Sequence, residues 1–325
     1  MLISRPDVAV IVMTRNAGAL WTQCLNGIRH QTVYAGRYLV MDSGSSDGTV
    51  EQAVEAGFEV YRVDPECFNH GGTRQRAAQL CAESRFLVYL TQDALLEQRD
   101  SLQQLLSHFE DDQVALAYGR HVAHETASPI EKHARLFTYP EQSAIRAHAD
   151  FQTLGFRAAF SSDVYAAYRA SVLHRIGGFP QHAIVSEDSY VAARLLLAGW
   201  KTVYSATSQV RHSHHYSLVH LLRRYFDVGV FHANETALLA KVGKPDQEAW
   251  VYVRSLIQYL NKSHKHLLPL AALQTLIKLI GFKLGKHYQR LPESWVKRIS
   301  LQKAYWLQRP LSPSETWRAA TGVSQ

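Results

Sequence analysis

Four short apolar runs open this chain, and a polar cluster follows each of them. The runs are Val8–Met13, Tyr38–Met41, Glu59–Val63 and Phe86–Leu90. Segments with the apolar spacing of helices lie between them, and strands that alternate with helices are typical of a parallel sheet. Ligands of such sheets bind outside the carboxyl ends of the strands. We therefore expect an α/β fold in which the polar clusters meet in one crevice.

Length and cysteine content narrow the class of protein. At 325 residues the chain is long enough for one large α/β domain with an appendage. Its three cysteines are too few for a disulfide framework or a zinc cluster and are typical of core thiols in a reducing compartment. The sequence runs directly into the first strand without a signal peptide, which predicts a cytoplasmic protein.

The positive charge is concentrated in the last third of the chain. The net charge is +7, and basic residues outnumber acidic ones from Lys241 onward, whereas the first half is close to balanced. Such a surface can meet nucleic acid, anionic lipid or phosphorylated substrates. No motif that reads RNA or DNA accompanies it, so a membrane or a lipid diphosphate is the favoured partner and nucleic acid is not expected.

The clusters after the first two strands suit a pyrimidine nucleotide. Thr14 and Asn16 end the first strand, and Asp42 and Asp47 flank a Ser/Gly turn after the second. A carboxylate there can accept the imide N–H of uracil or thymine, and the Thr14 hydroxyl can bind the same base. A purely structural alternative also fits, in which Asp47 caps the next helix and Asp42 shapes the turn.

Two further clusters suit a diphosphate and a metal ion. Arg74 follows the Gly71-Gly72 pair and is expected near a helix N-terminus, where its fork could bind phosphate oxygens; a solvated helix face is the alternative. Asp93 comes directly after a strand that should be buried, where an unpaired carboxylate is costly. A divalent ion, Mg²⁺ or Mn²⁺, resolves that cost and can bridge two phosphates. Gln92 is a candidate ribose or phosphate contact.

At these motifs the chain resembles the inverting, GT-A-fold nucleotide-sugar glycosyltransferases of the large family that includes cellulose and chitin synthases. The matching motifs are Thr14–Asn16, Asp42–Thr49, Gly72–Ala77 and Thr91–Asp93. The family's Asp-X-Asp metal motif has Thr91 at its first position here, so only Asp93 carries over. The run Phe68–Arg74 and the Leu-Thr-Gln-Asp-Ala sequence ending at Ala94 resemble bacterial rhamnosyltransferases. The resemblance covers residues 6 to 235.

This resemblance implies a Rossmann-like nucleotide-sugar-binding sheet and sugar transfer with inversion at the anomeric carbon. It implies dTDP-β-L-rhamnose as the donor and a lipid-linked precursor of O-antigen or capsule as the acceptor, at the cytoplasmic face of a bacterial inner membrane. The donor sugar rests on the resemblance alone, and a UDP-sugar is the alternative.

A Glu-Asp pair provides the candidate base. Inverting transfer needs one group to take the proton of the acceptor hydroxyl, and a carboxylate within hydrogen-bond reach can do so. The resemblance assigns this role to Asp188, with Glu187 and Gly178 on the acceptor side. Acidic residues in a first helical turn can also be mere partners of the helix dipole. Asp163 and Arg169 are further candidate contacts, although a surface loop explains Asp163 equally well.

A late histidine cluster offers further metal ligands. His212 and His214 follow a short strand, and alternate residues of a strand point to the same face. The resemblance implies a late histidine ligand, for which His214 is favoured and His212 is the alternative. A zinc site made by protein alone is not expected, because no cysteine lies nearby.

The chain is expected to divide near residue 215. Residues 1–215 would form the catalytic GT-A domain, with a donor half at 1–95 and an acceptor half at 96–215, and residues 216–325 a helical, basic extension. Leu267–Leu284 is apolar but interrupted by lysines, so the uninterrupted run is too short to span a bilayer. It could lie in a membrane interface, or pack on the catalytic domain or in a homo-oligomer.

Two other functions fit the sequence less well. A nucleotidyltransferase would normally carry a Gly-rich, basic loop after the first strand, and Thr14–Gly18 fits this poorly. A catalytically silent scaffold that binds nucleotide sugars in a polysaccharide assembly complex needs no base, so intact Asp93 and Asp188 argue against it.

Overall fold

The computed structural model describes residues 2–243 and 248–307. The strands are β1 (Ile3–Thr14), β2 (Val33–Asp42), β3 (Glu59–Arg62), β4 (Phe86–Thr91), β5 (Val114–Val122), β6 (Ala144–Arg146), β7 (Tyr165–Arg169) and β8 (Lys201–Arg211). The first eight helices are α1 (Trp21–Arg29), α2 (Thr49–Glu55), α3 (His70–Leu80), α4 (Ser101–Ser107), α5 (Pro129–Thr138), α6 (Phe151–Leu154), α7 (Ala170–Arg175) and α8 (Glu187–Leu197). The later helices are α9 (Leu218–Asn234), α10 (Thr236–Val242), α11 (Glu248–Ser263), α12 (Leu268–Lys286), α13 (Glu293–Ile299) and α14 (Lys303–Leu307).

All eight strands form one mixed sheet in the order β3-β2-β1-β4-β7-β5-β8-β6. The pairs β3–β2, β2–β1, β1–β4 and β5–β8 are parallel, whereas β7 runs antiparallel to both of its neighbours. The four strands expected from the apolar runs are therefore confirmed as one parallel unit. Its carboxyl ends form a single edge, and β7 starts at that same edge because its direction is reversed.

Helices cover both faces of the sheet. Alternate residues of β1 point to opposite faces, so Ile11 belongs to one buried cluster and Val10 to the other. Both residues are fully buried, as expected for a strand between two helical layers. Cys24 and Cys81 are core thiols, but Cys67 is exposed, contrary to expectation, because it lies in the loop before α3.

Three main-chain hydrogen bonds bring distant strand ends together. The segment after β4 crosses the edge, and Leu95 and Arg211 exchange main-chain hydrogen bonds of 3.1 and 2.9 Å. The main-chain N–H of His212 donates to the carbonyl of Val122, at the end of β5. The residues after β4, β5 and β8 therefore meet at one point.

The chain is helical from Leu218 onward, as expected for the C-terminal region. Helix α12 packs closely along α9 because small residues line the contact. A Cβ on Gly285 would lie 1.9 Å from the carbonyl oxygen of Phe226, and one on Gly281 would lie 2.4 Å from that of Leu222. Neither position accepts a larger residue without separating the helices. A domain boundary at residue 215 stays a prediction.

Candidate active site

The loop after β2 is held by its own first carboxylate. Asp42 is fully buried, and its carboxylate accepts hydrogen bonds from the hydroxyl of Thr14 and from the main-chain N–H groups of Gly44 and Ser45, at 3.2, 3.1 and 3.0 Å. The hydroxyl of Ser45 donates to the same carboxylate. The turn-shaping role of Asp42 is thus present in the structure, and its contact with a base stays a prediction.

Asn16 and Asp47 join the first two loops. Asn16 adopts a left-handed conformation with φ 47°, and its side-chain oxygen accepts a hydrogen bond from the N–H of Ser46 at 2.8 Å. Asp47 accepts from the hydroxyl of Thr49 at 2.5 Å and from the N–H groups of Thr49 and Gly18, each at 3.2 Å. The hydroxyl bond is the main reason that the pKa of the Asp47 carboxyl lies below its ordinary value. Both side chains therefore shape the rim of the crevice, and their donor contacts stay predictions.

Gln92 closes the same rim from the fourth strand. Its side-chain amide accepts a hydrogen bond from the N–H of Arg15 at 2.7 Å and donates to the carbonyl of Arg15 at 3.2 Å. The amide thus fixes the end of β1 against the end of β4. The predicted contact of Gln92 with ribose or phosphate remains a prediction.

Asp93, His212 and His214 converge. The Nε2 atoms of both histidines lie 3.3 Å from Oδ2 of Asp93, and one ligand atom from each of the three residues lies within 4.8 Å of the others. Thr91 donates a hydrogen bond of 2.6 Å to Oδ1 of Asp93, which leaves Oδ2 facing the histidines. The strand β8 ends at Arg211, so the ring positions come from the loop after it rather than from strand alternation.

The protonation of this cluster suits a cation. Burial alone would raise the pKa of Asp93, but its hydrogen bond to His212 and the nearby imidazoles outweigh burial, and the net shift is downward. Burial, reinforced by His212, lowers the pKa of His214 to about 4. Asp93 is therefore ionised and His214 neutral at pH 7, and these are the forms that bind metal ions. The donor set and its protonation fit a divalent cation.

A second buried layer lies behind the cluster, and sequence reasoning missed it. His121, at the end of β5, stacks on Tyr139 with ring centroids 4.0 Å apart and meets the His212 ring edge to face at 5.3 Å. Burial lowers the pKa of His121 and raises that of Tyr139 to about 12, so both rings are neutral. These rings restrict the orientation of His212.

Arg74 is buried between two carboxylates. Its Nε lies 2.9 Å from Asp163, and its Nη1 lies 2.9 Å from Glu187. Nη1 also donates to the carbonyl of His70 at 3.1 Å, and the Tyr168 hydroxyl donates to Asp163 at 2.5 Å. The structure thus gives Arg74 partners that the sequence analysis did not foresee. Its contact with a diphosphate stays a prediction, and in this conformation the guanidinium faces the acids.

Asp188 lies beside this ion pair. Its carboxylate accepts from the N–H of Ser189 at 2.7 Å and from the N–H of Asp163 at 3.4 Å. Burial raises its pKa to about 8, and the charges of Glu187 and Asp163 act in the same direction. Burial likewise raises the pKa of Asp163 to about 6, and the charge of Glu187 adds to this rise while Arg74 opposes it. Raised basicity is what a general base near neutral pH requires.

The backbone before α8 is strained. Ser186 has φ 62°, and non-glycine residues seldom occupy this left-handed region without support from their surroundings. The turn at Ser186 directs Glu187 and Asp188 into the first turn of α8, toward α3. A strained residue immediately before two clustered acids supports a functional role for the acids over a role as dipole partners.

Glycines allow α3 to approach the loop after α7. A Cβ on Gly71 would lie 1.8 Å from the carbonyl oxygen of Pro180, and one on Gly178, at φ 73°, would lie 2.0 Å from the amide oxygen of Gln75. The same Gln75 oxygen accepts from the N–H of Phe179 at 2.9 Å. Gly178 therefore has a packing role beside the acid cluster, and its contact with an acceptor stays a prediction.

Comparison with known proteins decides the family. Residues 9–177, about half of the chain, match Glycosyl transferase family 2. The chain belongs to this family. This family 2 glycosyltransferase is 40% identical over 300 residues to the O-antigen chain rhamnosyltransferase RfbN of Salmonella typhimurium, with 92% of this chain and 96% of the relative covered. It is 41% identical over 302 residues to WbaN of Salmonella anatum, which carries the same description, with 93% and 96% covered.

The solved structures agree on the fold of this family 2 glycosyltransferase. A mannosyltransferase from Pyrobaculum calidifontis, solved with GDP-mannose and Mn²⁺, superposes with a TM-score of 0.55 at 20% identity and covers 94% of this chain and 87% of its own. That likeness confirms the GT-A fold expected from the motifs.

The structure also places two further candidate residues of the glycosyltransferase. Asp163 is 2% exposed rather than in a surface loop, because Arg74 and Tyr168 bind it. Arg169 is no acceptor contact, because β7 is antiparallel and its last residue pairs with Phe86 at the opposite edge of the sheet. There its guanidinium donates to main-chain carbonyls.

Proposed function

We propose that this protein transfers L-rhamnose from dTDP-β-L-rhamnose, with inversion, to a lipid-linked oligosaccharide of O-antigen or capsule synthesis. The transfer would take place at the cytoplasmic face of a bacterial inner membrane. The observation that carries the proposal is identity of 40% and 41% over nearly the whole length of two relatives described as O-antigen chain rhamnosyltransferases. The Asp93 and Asp188 clusters supply the groups that the reaction needs.

In the proposed reaction Asp188 is the base. Its carboxylate takes the proton of the acceptor hydroxyl while that oxygen attacks the anomeric carbon from the face opposite the diphosphate. The bond from the anomeric carbon to the diphosphate oxygen breaks, and its electron pair stays on the departing dTDP. A β-linked donor therefore gives an α-linked rhamnose. The raised pKa of Asp188 strengthens the base, and the fixed backbone at Ser186 directs it.

Asp93, His212 and His214 would hold a divalent ion. When bound, the ion neutralises charge that develops on the departing diphosphate. The chain's own part is to keep Asp93 ionised and His214 neutral, and to fix His212 against His121. Two imidazoles beside one carboxylate form a softer set than the all-oxygen set of Mg²⁺ sites, so Mn²⁺ is the better fit of the two.

The donor would lie along the rim made by the loops after β1, β2 and β4. Thr14, Asn16, Asp42, Asp47 and Gln92 already bind one another or the backbone there, so they act first by shaping a rigid rim. Direct contacts with thymine, ribose and diphosphate are part of the proposal for these residues and for Arg74. The buried ion pairs support a second role for Arg74, which is to hold Glu187 and Asp163 beside the base.

Nucleoside diphosphate release tests the proposal. The assay would use dTDP-rhamnose, UDP-sugars and GDP-sugars with Mn²⁺, Mg²⁺ or EDTA, in the presence of bacterial membrane lipid extract. Metal-dependent turnover of dTDP-rhamnose supports the proposal. Preference for a UDP-sugar would retain the mechanism and overturn the donor. No turnover with any donor, together with intact nucleotide-sugar binding, would favour the silent scaffold.

A further inference from the structure

Within the described residues, 2–243 and 248–307, helix α12 leaves one apolar face uncovered. The exposed large side chains on it are Leu270, Leu273, Leu276, Leu279 and Ile280. Spacings of three and four residues keep these side chains on one side of a helix. The glycines that contact α9 point away from the centre of this face. A contiguous patch of exposed large apolar side chains is typical of a surface that binds a membrane or another protein. We call these five residues the α12 face.

Basic residues flank the α12 face at both ends. Lys262 and Lys265 precede the helix, and Lys283 and Lys286 are exposed in its last turn. Residues 249–307 contain ten lysines and arginines and one acidic residue, Glu293. The apolar face therefore carries positive charge at each end, and the segment of the chain that contains it has a single acidic residue.

This charge pattern discriminates between two occupants. If a second copy packed its α12 face on this one, basic ends would meet basic ends in the parallel and in the antiparallel arrangement. An anionic bilayer instead supplies negative head groups for the lysines and an apolar layer for the leucines. We propose that the α12 face is a docking surface for an anionic lipid bilayer, with the helix lying in the plane of the interface.

The packing of α12 favours a helix on the membrane over one across it. By length and composition Lys265–Lys286 could cross a bilayer, and only 11% of its most apolar window is buried. However, Gly281 and Gly285 lie against the backbone of α9, and Ala271 packs with Ile130 of α5 in a separate buried cluster. A spanning helix would lose these contacts with the catalytic part of the chain.

Docking here would bring the active site to the lipid. Helix α9 begins at Leu218, directly after the loop that carries His212 and His214, and its length supports α12. Helix α5, which packs under α11 and α12, follows β5 and the buried His121. Helix α9 therefore starts close in sequence to the metal cluster, and α5 follows the strand that carries the ring behind it. The inference rests on the proposed function only in assigning a lipid-linked acceptor to this location.

Vesicle flotation without donor or acceptor tests the docking surface. The full chain should float with an equimolar mixture of phosphatidylcholine and phosphatidylglycerol and not with phosphatidylcholine alone. The double variant Leu273→Gln/Leu276→Gln should lower binding by roughly tenfold or more, since less apolar surface enters the interface. Val54→Gln is the matched control, because Val54 is an exposed aliphatic residue on α2. It should bind as wild type does.

Charge and insertion are tested separately. Lys283→Gln/Lys286→Gln should weaken binding to the anionic vesicles and reduce its sensitivity to salt. Binding that is unchanged in both double variants would overturn the proposal. So would retention on vesicles after an alkaline carbonate wash, which indicates a spanning helix, or a wild-type dimer that the leucine variant dissociates without any vesicle binding. Donor turnover of these variants without vesicles reports on the proposed function independently, because α12 contributes no residue to the site.

Discussion

The main-chain N–H of Asp163 donates to the carboxylate of Asp188 at 3.4 Å, so the residue that binds Arg74 also contacts the proposed base. The charge of Asp163 couples the ion pair to the basicity of Asp188, because it raises the pKa of that carboxyl. Burial and two neighbouring carboxylates raise the pKa of Asp188, while Arg74 offsets part of that increase. The cluster thus keeps the pKa of Asp188 close to neutral pH, where its carboxyl group can both accept and release a proton.

Asp188→Asn should abolish sugar transfer while nucleotide-sugar binding is retained, because the amide cannot accept the proton. Asp112→Asn, at a carboxylate that is 90% exposed, is the matched control and should keep full activity. Turnover is measured as dTDP release, and binding by calorimetry. Substantial residual transfer by Asp188→Asn would assign the base elsewhere.

The same substitution should stabilise the protein at alkaline pH. The folded pKa of Asp188, about 8, lies above its ordinary value of 3.8, so the folded state holds a proton that the unfolded state has lost between these values. Stability contributed by this group therefore falls as the pH rises through that window. We expect the melting temperature of Asp188→Asn relative to wild type to increase from pH 5 to pH 8. A difference that does not vary with pH would contradict the raised pKa.

Activity should depend on the ionised form of Asp188. The logarithm of kcat/KM should rise with pH and level off near the pKa of about 8, since only the carboxylate can act as a base. The profile is measured at saturating metal with the wild type. If kcat/KM already reached its plateau below pH 5, the pKa of Asp188 would not be raised in the free enzyme.

Arg74→Met should destabilise the fold strongly. Loss of one partner leaves buried carboxylates uncompensated, which costs about 3–5 kcal/mol. Burial raises the pKa of Glu187, but the guanidinium lowers it by more, so the net pKa lies below the ordinary value of 4.5. The part of the destabilisation that comes from the Glu187 ion pair should therefore diminish as the pH falls below 4.5. Urea denaturation at several pH values measures it. Arg76→Met is the control, because Arg76 is exposed on the same helix; an equal effect of both substitutions would rule out the ion pairs as the cause.

His212→Ala and His214→Ala should each weaken Mn²⁺ binding. Removal of a residue that only supports a metal ligand lowers metal affinity by roughly 10–100-fold, and removal of a ligand itself should lower it further. His212 is the more buried of the two, with 7% of its side chain exposed against 37% for His214, so we expect its loss to be the larger. The exposed His215 is the matched control. Equal Mn²⁺ affinity in all three variants, measured by electron paramagnetic resonance, would remove the histidines from the site.

The sheet and its edge could be predicted because they depend on local patterns. Each apolar run of a parallel unit is a strand in its own right, and the polar residue after it must lie at the carboxyl edge. His-X-His after a late strand likewise indicated a metal site, although the actual meeting with Asp93 depends on the crossing between Leu95 and Arg211. Neither segment, taken alone, carries a sequence pattern that predicts this crossing.

The acid cluster could not be predicted in the same way. Arg74 and Asp163 are 89 positions apart, and each follows residues that are typical of loops. Their burial is visible only when α3 approaches the loop after α7 through Gly71 and Gly178. The sequence analysis expects Gly178 on the acceptor side, and the structure adds close packing as a role of both glycines. Neither the ion pair nor the late titration of Asp163 follows from spacing.

The glycine contact between α9 and α12 fixes the distance between the metal cluster and the α12 face. Because Gly281 and Gly285 lie against backbone atoms of α9, sliding or separating the two helices would break these close contacts. The height of the metal cluster above the α12 face is therefore constant. An enzyme docked through that face would select its acceptor partly by the distance between the acceptor hydroxyl and the bilayer. A hydroxyl held too close to the bilayer, or too far from it, would miss the base even with the correct sugar attached.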